Sequence, residues 1–169
     1  MRRNTVLAIV LLIGLTFSAC GGKPTPTVTP TPTVPQAAVD AIKSLRRMKS
    51  ATEVGITYVE YGTRIIDLKG DVDEALTELP EGELKQVMGW AMEAYGDALV
   101  AWSHVAQGHH LLIDYEPAKS LQKKYSIPEV NNHGGDARFT ELTRETALSI
   151  IWAAAAQHVA RASELVGQK

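Results

Sequence analysis

The sequence predicts an all-α protein, an antiparallel bundle of three or four helices, and three observations support this. From Gln36 onward, apolar residues recur at steps of three, four or seven, which is the period of a helix with a buried face. Pro80 and Gly108, residues typical of helix ends, divide this region into segments of helical length. Cys20 is the only cysteine, so the fold has no disulfide within the chain and must be held by a packed core.

The first 20 residues have the layout of an export signal. Two arginines precede an apolar run, residues 5–17, which is shorter than the roughly 20 residues that a membrane-spanning helix needs. The run ends in Phe17-Ser18-Ala19-Cys20, which resembles the lipobox of bacterial lipoproteins, although Phe17 replaces the usual aliphatic residue. The resemblance implies that residues 1–19 are a signal peptide, that Cys20 is lipidated, and that the mature chain is anchored to a bacterial membrane with an extracytoplasmic domain. An uncleaved anchor helix is the alternative.

Residues 20–35 are predicted to be a disordered linker between the lipidated cysteine and a folded domain, residues 36–169. The stretch from position 24 to 35 reads PTPTVTPTPTVP, and its prolines are incompatible with a helix interior or a sheet. Alternating proline favours polyproline II, so this stretch would extend roughly 35 to 40 Å. A plain spacer and an O-glycosylated Thr-Pro stalk both fit the composition.

Two long helices are predicted in the first half of the domain. The first covers roughly 36–68, and further turns after Gly70-Asp71 reach Leu79. Pro80 is a stop, and a second helix follows over about 82–107. This second helix has the most continuous apolar stripe, formed by Leu84, Val87, Met88, Ala91, Tyr95, Ala98, Leu99, Trp102 and Val105.

The second half is predicted to hold a short helix near 117–125, a loop over 128–136 and a last helix over about 137–166. Asp136 is the candidate N-cap of that last helix. Ile151 belongs to one apolar stripe of this helix, and Ala155 belongs to another on a different face. We therefore expect the helix to lie centrally between its neighbours.

Glycines at heptad spacing suggest close helix packing. Gly55 and Gly62 are seven residues apart, as are Gly89, Gly96 and Ser103. Glycine inside a helix costs about 1 kcal/mol relative to alanine, and a close approach of two antiparallel helices would recover that loss. The alternative is that these glycines lie on solvent faces.

Composition and motifs exclude several classes of protein. The formal net charge is −2 and no long basic run is present, so nucleic acid is not an expected partner. The sequence has no zinc-protease, haem-attachment, phosphate-loop, nucleophile-elbow or di-iron signature. We therefore predict that the chain is not an enzyme, with an enzyme of unrecognised type as a residual alternative, and we expect no organic cofactor.

One group of residues suggests a divalent transition metal, because imidazole and carboxylate groups are its common ligands. If the second and last helices are antiparallel neighbours, these residues converge at one end of the bundle. The spacing matches no specific motif, and a polar loop is the alternative. The candidate metal ligands are His104, His109, His110, Asp114, His133 and Asp136.

Aromatic side chains suggest a ligand groove between helices. Tyr58, Tyr95 and Trp102 are the principal candidates, and Tyr61 and Trp90 are possible additional members. Aromatic residues at helical spacing are otherwise typical of a core. The leading hypothesis is a lipid-anchored, non-enzymatic module that binds an envelope protein or a small ligand, and the alternative is a metal-binding protein.

Overall fold

The computed structural model describes residues 34–131 and 140–167, and within these ranges it contains five helices and three short strands. The predicted signal peptide, Cys20 and nearly all of the linker lie outside the described residues, as do His133 and Asp136. The elements in chain order are α1 Gln36–Val54, α2 Tyr58–Glu78, α3 Glu83–Ala106, β1 Leu111–Leu112, α4 Ala118–Tyr125, β2 Val130–Asn131, β3 Thr140–Leu142 and α5 Arg144–Gly167.

The predicted helical domain is confirmed, but the prediction of one continuous first helix is wrong. The first helix ends at Val54, and the next residue, Gly55, adopts a positive φ of 109°, a backbone conformation that favours glycine. The α2 helix then starts at a capped end, since the Thr57 hydroxyl accepts a hydrogen bond from the backbone N–H of Glu60 at 3.3 Å. Gly70, expected to interrupt the first segment, lies inside α2.

The α3 and α4 helices match the predictions to within about a residue at each end, whereas the predicted start of the last helix is wrong. Residues 140–142 form strand β3, and α5 begins at Arg144. The cap is Thr143, whose Oγ1 accepts a hydrogen bond from the N–H of Thr146 at 3.3 Å.

A small antiparallel sheet, absent from the all-α prediction, packs against α3 and α4. Its strand order is β1-β3-β2, with Leu111 opposite Leu142 and Val130 opposite Glu141. The sheet brings the end of α3 and the start of α5 together, because β1 follows α3 and β3 precedes α5 directly.

The core is built mainly where α3 packs against α5, the most extensive contact between two elements. The α5 helix also contacts α1 and α4. This confirms the predicted central position of α5. Both α3 and α5 contribute small side chains to the core, and their fully buried alanines are at positions 91, 98, 101, 147, 155 and 162.

Close packing at the heptad glycines is not what the structure shows. A Cβ atom added at Gly89 or Gly96 would meet no neighbouring atom within 4 Å, and one at Gly62 would meet only Leu99 Cδ1, at 4.0 Å. The prediction that these glycines mark close helix contacts was therefore wrong. Within the described residues, no helix has both the length and the apolar character that are required to cross a bilayer.

Candidate functional site

Four aromatic side chains from three helices meet on one side of the core. Tyr58 and Tyr61 belong to α2, Trp102 to α3 and Trp152 to α5. The two indole rings have centroids 5.7 Å apart at an interplanar angle of 64°, and Tyr61 lies 5.6 Å from Trp102 and 5.7 Å from Trp152. Such tilted and edge-on arrangements are the favourable ones for aromatic pairs.

A hydrogen-bond chain that leads into the core fixes the orientation of Trp152. Its indole Nε1–H donates to the Tyr61 hydroxyl at 3.1 Å, and that hydroxyl donates to the backbone carbonyl of Tyr95 at 2.9 Å. Burial raises the pKa of Tyr61, so it remains a neutral phenol. Because the polar edge of Trp152 is used internally, the remaining surface of this ring is hydrocarbon.

Next to this aromatic cluster lies a cleft of about 730 Å³, bounded by α1, α3 and α5. We call it the tryptophan cleft. The end of α1 forms one wall, the first half of α5 forms the other, and Trp102 is the contribution of α3. The lining residues are Lys49, Thr52, Glu53, Trp102, Arg144, Glu145, Leu148, Ser149, Trp152, Ala153 and Ala156.

Each charged wall of the tryptophan cleft carries an ion pair. Lys49 pairs with Glu53 on α1, and Arg144 pairs with Glu145 at the start of α5. The Glu145 carboxylate accepts a hydrogen bond from its own backbone N–H, and this bond together with Arg144 lowers its pKa, so it is ionised at neutral pH. The cleft thus offers two cations and two anions around an apolar surface.

Further hydrogen-bonding groups line the cleft. Trp102 is partly exposed, and its indole N–H has no hydrogen-bond partner among the described residues. The Ser149 hydroxyl is exposed and is likewise not engaged by a described residue. A molecule in the cleft could therefore accept hydrogen bonds from one donor on α3 and one on α5.

The residues that were predicted to line a ligand groove lie in different parts of the structure. Trp102 lines the tryptophan cleft, and Tyr58 packs against Trp102 at 5.9 Å without lining the cleft. Tyr95 was predicted to line a groove, but its side chain is completely buried in the core. Trp90 lies against His158 on α5, with ring centroids 5.5 Å apart.

The predicted metal ligands come together only in part. The His104 and His109 rings lie 4.9 Å apart, and His104 Nε2 is 3.2 Å from the carbonyl oxygen of His110. His110 Nδ1 lies 2.8 Å from an Oε2 atom of Glu141, a nearly buried residue that sequence reasoning missed. Asp114 is exposed on the loop after β1. Among residues 34–131 and 140–167, no three His, Cys, Asp or Glu side chains are grouped as metal ligands.

Several cleft residues were not predicted from the sequence. Lys49 and Thr52 carry no motif, and they reach the cleft only because α1 ends beside α5. Trp152 has the helical spacing of a core residue, and that spacing gave no signal of a cleft. No protein family model matches the chain, and neither does any curated protein or solved structure.

Proposed function

We propose that this chain is a lipid-anchored, extracytoplasmic binding module whose tryptophan cleft takes a small molecule with an apolar body and polar ends. The observation that carries the proposal is the cleft itself, which is lined by two tryptophans and two ion pairs. The lipobox-like segment ending at Cys20 supports the anchored location. The proposal is for binding, with the membrane and a small ligand as partners.

The volume and lining of the cleft support a small ligand. Binding sites for small molecules are typically concave, of about 300 to 1,000 Å³, and mostly apolar with a few placed polar groups. The cleft has this size, and Leu148, Trp152 and Ala156 provide an apolar surface. Burying an apolar group there would contribute roughly 25 cal/mol per Å² removed from water.

The charges of the cleft support a ligand with polar ends. Lys49 and Arg144 would attract an anionic group, and the unused donor of Trp102 suits a carbonyl or carboxylate oxygen. Glu53 and Glu145 would suit an ammonium group. Since the cations and carboxylates balance, the site favours a zwitterionic or neutral polar ligand over a highly charged one.

The test uses the chain from residue 21 onward, which lacks the lipidation site. All identified core residues lie between Ala38 and Ala162, so this chain contains the complete described core. It is incubated with a small-molecule extract of bacterial envelopes, freed of excess extract and weighed by native mass spectrometry. We expect a stoichiometric added mass that is stable to gel filtration.

A substitution that fills the cleft provides the decisive comparison. Ala153 is exposed and lines the cleft, so Ala153→Phe places a ring in the binding space without changing the core. Ala160→Phe is the matched control, because Ala160 is exposed on the same helix and is absent from the cleft lining. We expect Ala153→Phe to weaken binding at least about tenfold. Equal binding by both variants would place the ligand elsewhere.

A metal-binding function is the second candidate, favoured by the 4.9 Å approach of His104 and His109 beside His110. Zinc or another divalent transition metal would be the bound species. The test is metal analysis of protein purified without chelators, compared with the variant His109→Ala/His110→Ala. Loss of stoichiometric metal in the variant supports this function, and unchanged metal content contradicts it.

A further inference from the structure

Apolar side chains are exposed at the corner where α1 ends and α2 begins. Val54 is 90% exposed and Val59 is 76% exposed, the two highest values for large hydrophobic residues in the described part of the chain. They flank the connection 55–57, which the positive φ of Gly55 and the Thr57 cap hold in a defined turn. Two exposed valines so close in sequence give this corner an apolar surface that a partner could cover.

The same corner has a depression whose lining contains three arginines and one carboxylate, that of Glu60. Arg46, Arg47 and Arg64 line this depression of about 510 Å³, which also includes Val54 and Gly55. Most described lysines and arginines form an ion pair with a carboxylate, including Arg64 with Glu60 at 2.7 Å. In the described ranges the exceptions are Arg46, Arg47, Lys119 and Lys123.

The two unpaired arginines are available to an outside partner. Arg46 donates from Nε to Ser163 Oγ at 2.9 Å, which leaves its terminal nitrogens without a described partner. Arg47 makes no hydrogen bond or ion pair with any described side chain, and its neighbours one helical turn away are uncharged or basic. Of the nearby carboxylates, Glu53 is paired with Lys49 and Glu60 with Arg64. Asp67 and Asp71 line a neighbouring depression with Arg47 but form no ion pair with it.

Guanidinium groups beside exposed apolar side chains are the combination that recognises an anionic bilayer surface. Guanidinium groups bind lipid phosphates in a bidentate manner, while apolar residues enter the boundary between headgroups and acyl chains. A free phosphate ion would use the arginines but would leave the valines exposed. We propose that this corner, consisting of Arg46, Arg47, Val54, Val59 and Arg64 and called here the basic corner, binds the surface of a bilayer rich in anionic phospholipid.

The predicted anchor is compatible with this second contact. The α1 helix has 19 residues and begins at Gln36, so Arg46 lies about 15 Å and Val54 about 27 Å along the helix from its start. The Thr/Pro stretch would extend roughly 35 to 40 Å, which is long enough for the domain to turn this corner toward the membrane that holds Cys20. The basic corner is independent of the tryptophan cleft, and neither proposal depends on the other.

The test is co-sedimentation of the chain from residue 21 onward with vesicles of phosphatidylcholine alone and of phosphatidylcholine with about one third phosphatidylglycerol. We expect binding to the anionic vesicles and little binding to the neutral ones. Each basic residue near an anionic surface contributes roughly a fivefold factor in affinity, so Arg46→Gln/Arg47→Gln should weaken binding about 25-fold. Arg47→Gln alone breaks no described contact and should weaken it about fivefold.

The matched control is Lys119→Gln/Lys123→Gln, which removes the same charge from two α4 cations that pair with no described carboxylate. It should change vesicle binding less than about threefold. Val54→Ser/Val59→Ser should weaken binding about tenfold with the charges unchanged. The proposal is overturned if anionic vesicles are not bound, or if both charge variants have equal effects. It is also overturned if the valine variant binds normally and inorganic phosphate at constant ionic strength releases the protein.

Discussion

At the scale of single residues, two fully buried tyrosines have hydroxyl groups in opposite situations. The Tyr61 hydroxyl accepts a hydrogen bond from Trp152 and donates one to the carbonyl of Tyr95. The Tyr95 hydroxyl is buried without a hydrogen-bond partner in the described part of the chain. The same substitution should therefore have different consequences at the two positions.

Tyr61→Phe leaves the indole N–H of Trp152 and the carbonyl of Tyr95 without this partner, so we expect it to lower the free energy of unfolding by about 1 to 3 kcal/mol. Tyr95→Phe removes only an unsatisfied group, and we expect a change between zero and a gain of about 1 kcal/mol. Urea denaturation of both variants measures the difference. Equal destabilisation would mean that the Tyr95 hydroxyl has a partner, such as a buried water.

His158 should make stability depend on pH. Burial against Trp90 lowers the pKa of His158 below its usual value of 6.5, so the folded state favours the neutral ring. This contribution is fully present above pH 6.5, and it is lost as the pH falls toward the lower pKa of the folded state. We expect the unfolding free energy to fall between pH 7.5 and 5, and to fall less in His158→Gln. An unchanged pH dependence in that variant would assign the effect to other groups.

At the scale of helices and turns, Gly55 lies in a turn and Gly89 lies on a helix surface, so alanine should have opposite effects at the two positions. Gly55 has a φ of 109°, so Gly55→Ala should destabilise the protein by about 1 kcal/mol or more. Gly89 lies inside α3 with open space around it, so Gly89→Ala should stabilise it by roughly 0.5 to 1 kcal/mol. Thermal denaturation checks both values. If Gly89→Ala destabilised the protein instead, the result would support the earlier interpretation that the heptad glycines mark close helix packing.

The limits of sequence reasoning are clear at this same scale. The α3 helix was predictable because one uninterrupted stripe sets both its face and its length. The break before α2 was missed because Gly55 was assigned to helix packing, although Thr57 and Glu60 together form a recognisable capping signal. The strands were missed because two or three residues carry no period, and Leu111 pairs with Leu142 only through the tertiary fold.

At the scale of the whole molecule, the tryptophan cleft depends on how helices distant in sequence meet. Trp102 could be proposed from its own stripe, whereas Lys49 and Arg144 reach the same space from the end of α1 and the start of α5. No local pattern encodes that meeting. Among the predicted metal ligands, nearness in sequence was enough to place His104 beside His109. It did not reveal that His110 contacts Glu141, which lies on β3 and is distant in sequence.

The anchor can be tested in the full chain by replacing one atom. Expressed in bacteria supplied with labelled palmitate, the unmodified protein should be labelled and should partition into the detergent phase, since two or more acyl chains anchor stably where one does not. Cys20→Ser should abolish the label and move the protein to the aqueous phase or leave an uncleaved precursor. Because the described core lies between Ala38 and Ala162, the helical circular dichroism of a released domain should be unchanged.

If the unmodified chain carries no label, the anchored function is contradicted, while ligand binding by the tryptophan cleft remains separately testable. Retention of Cys20→Ser on anionic but not neutral membranes would then isolate the contribution of the basic corner from that of the lipid.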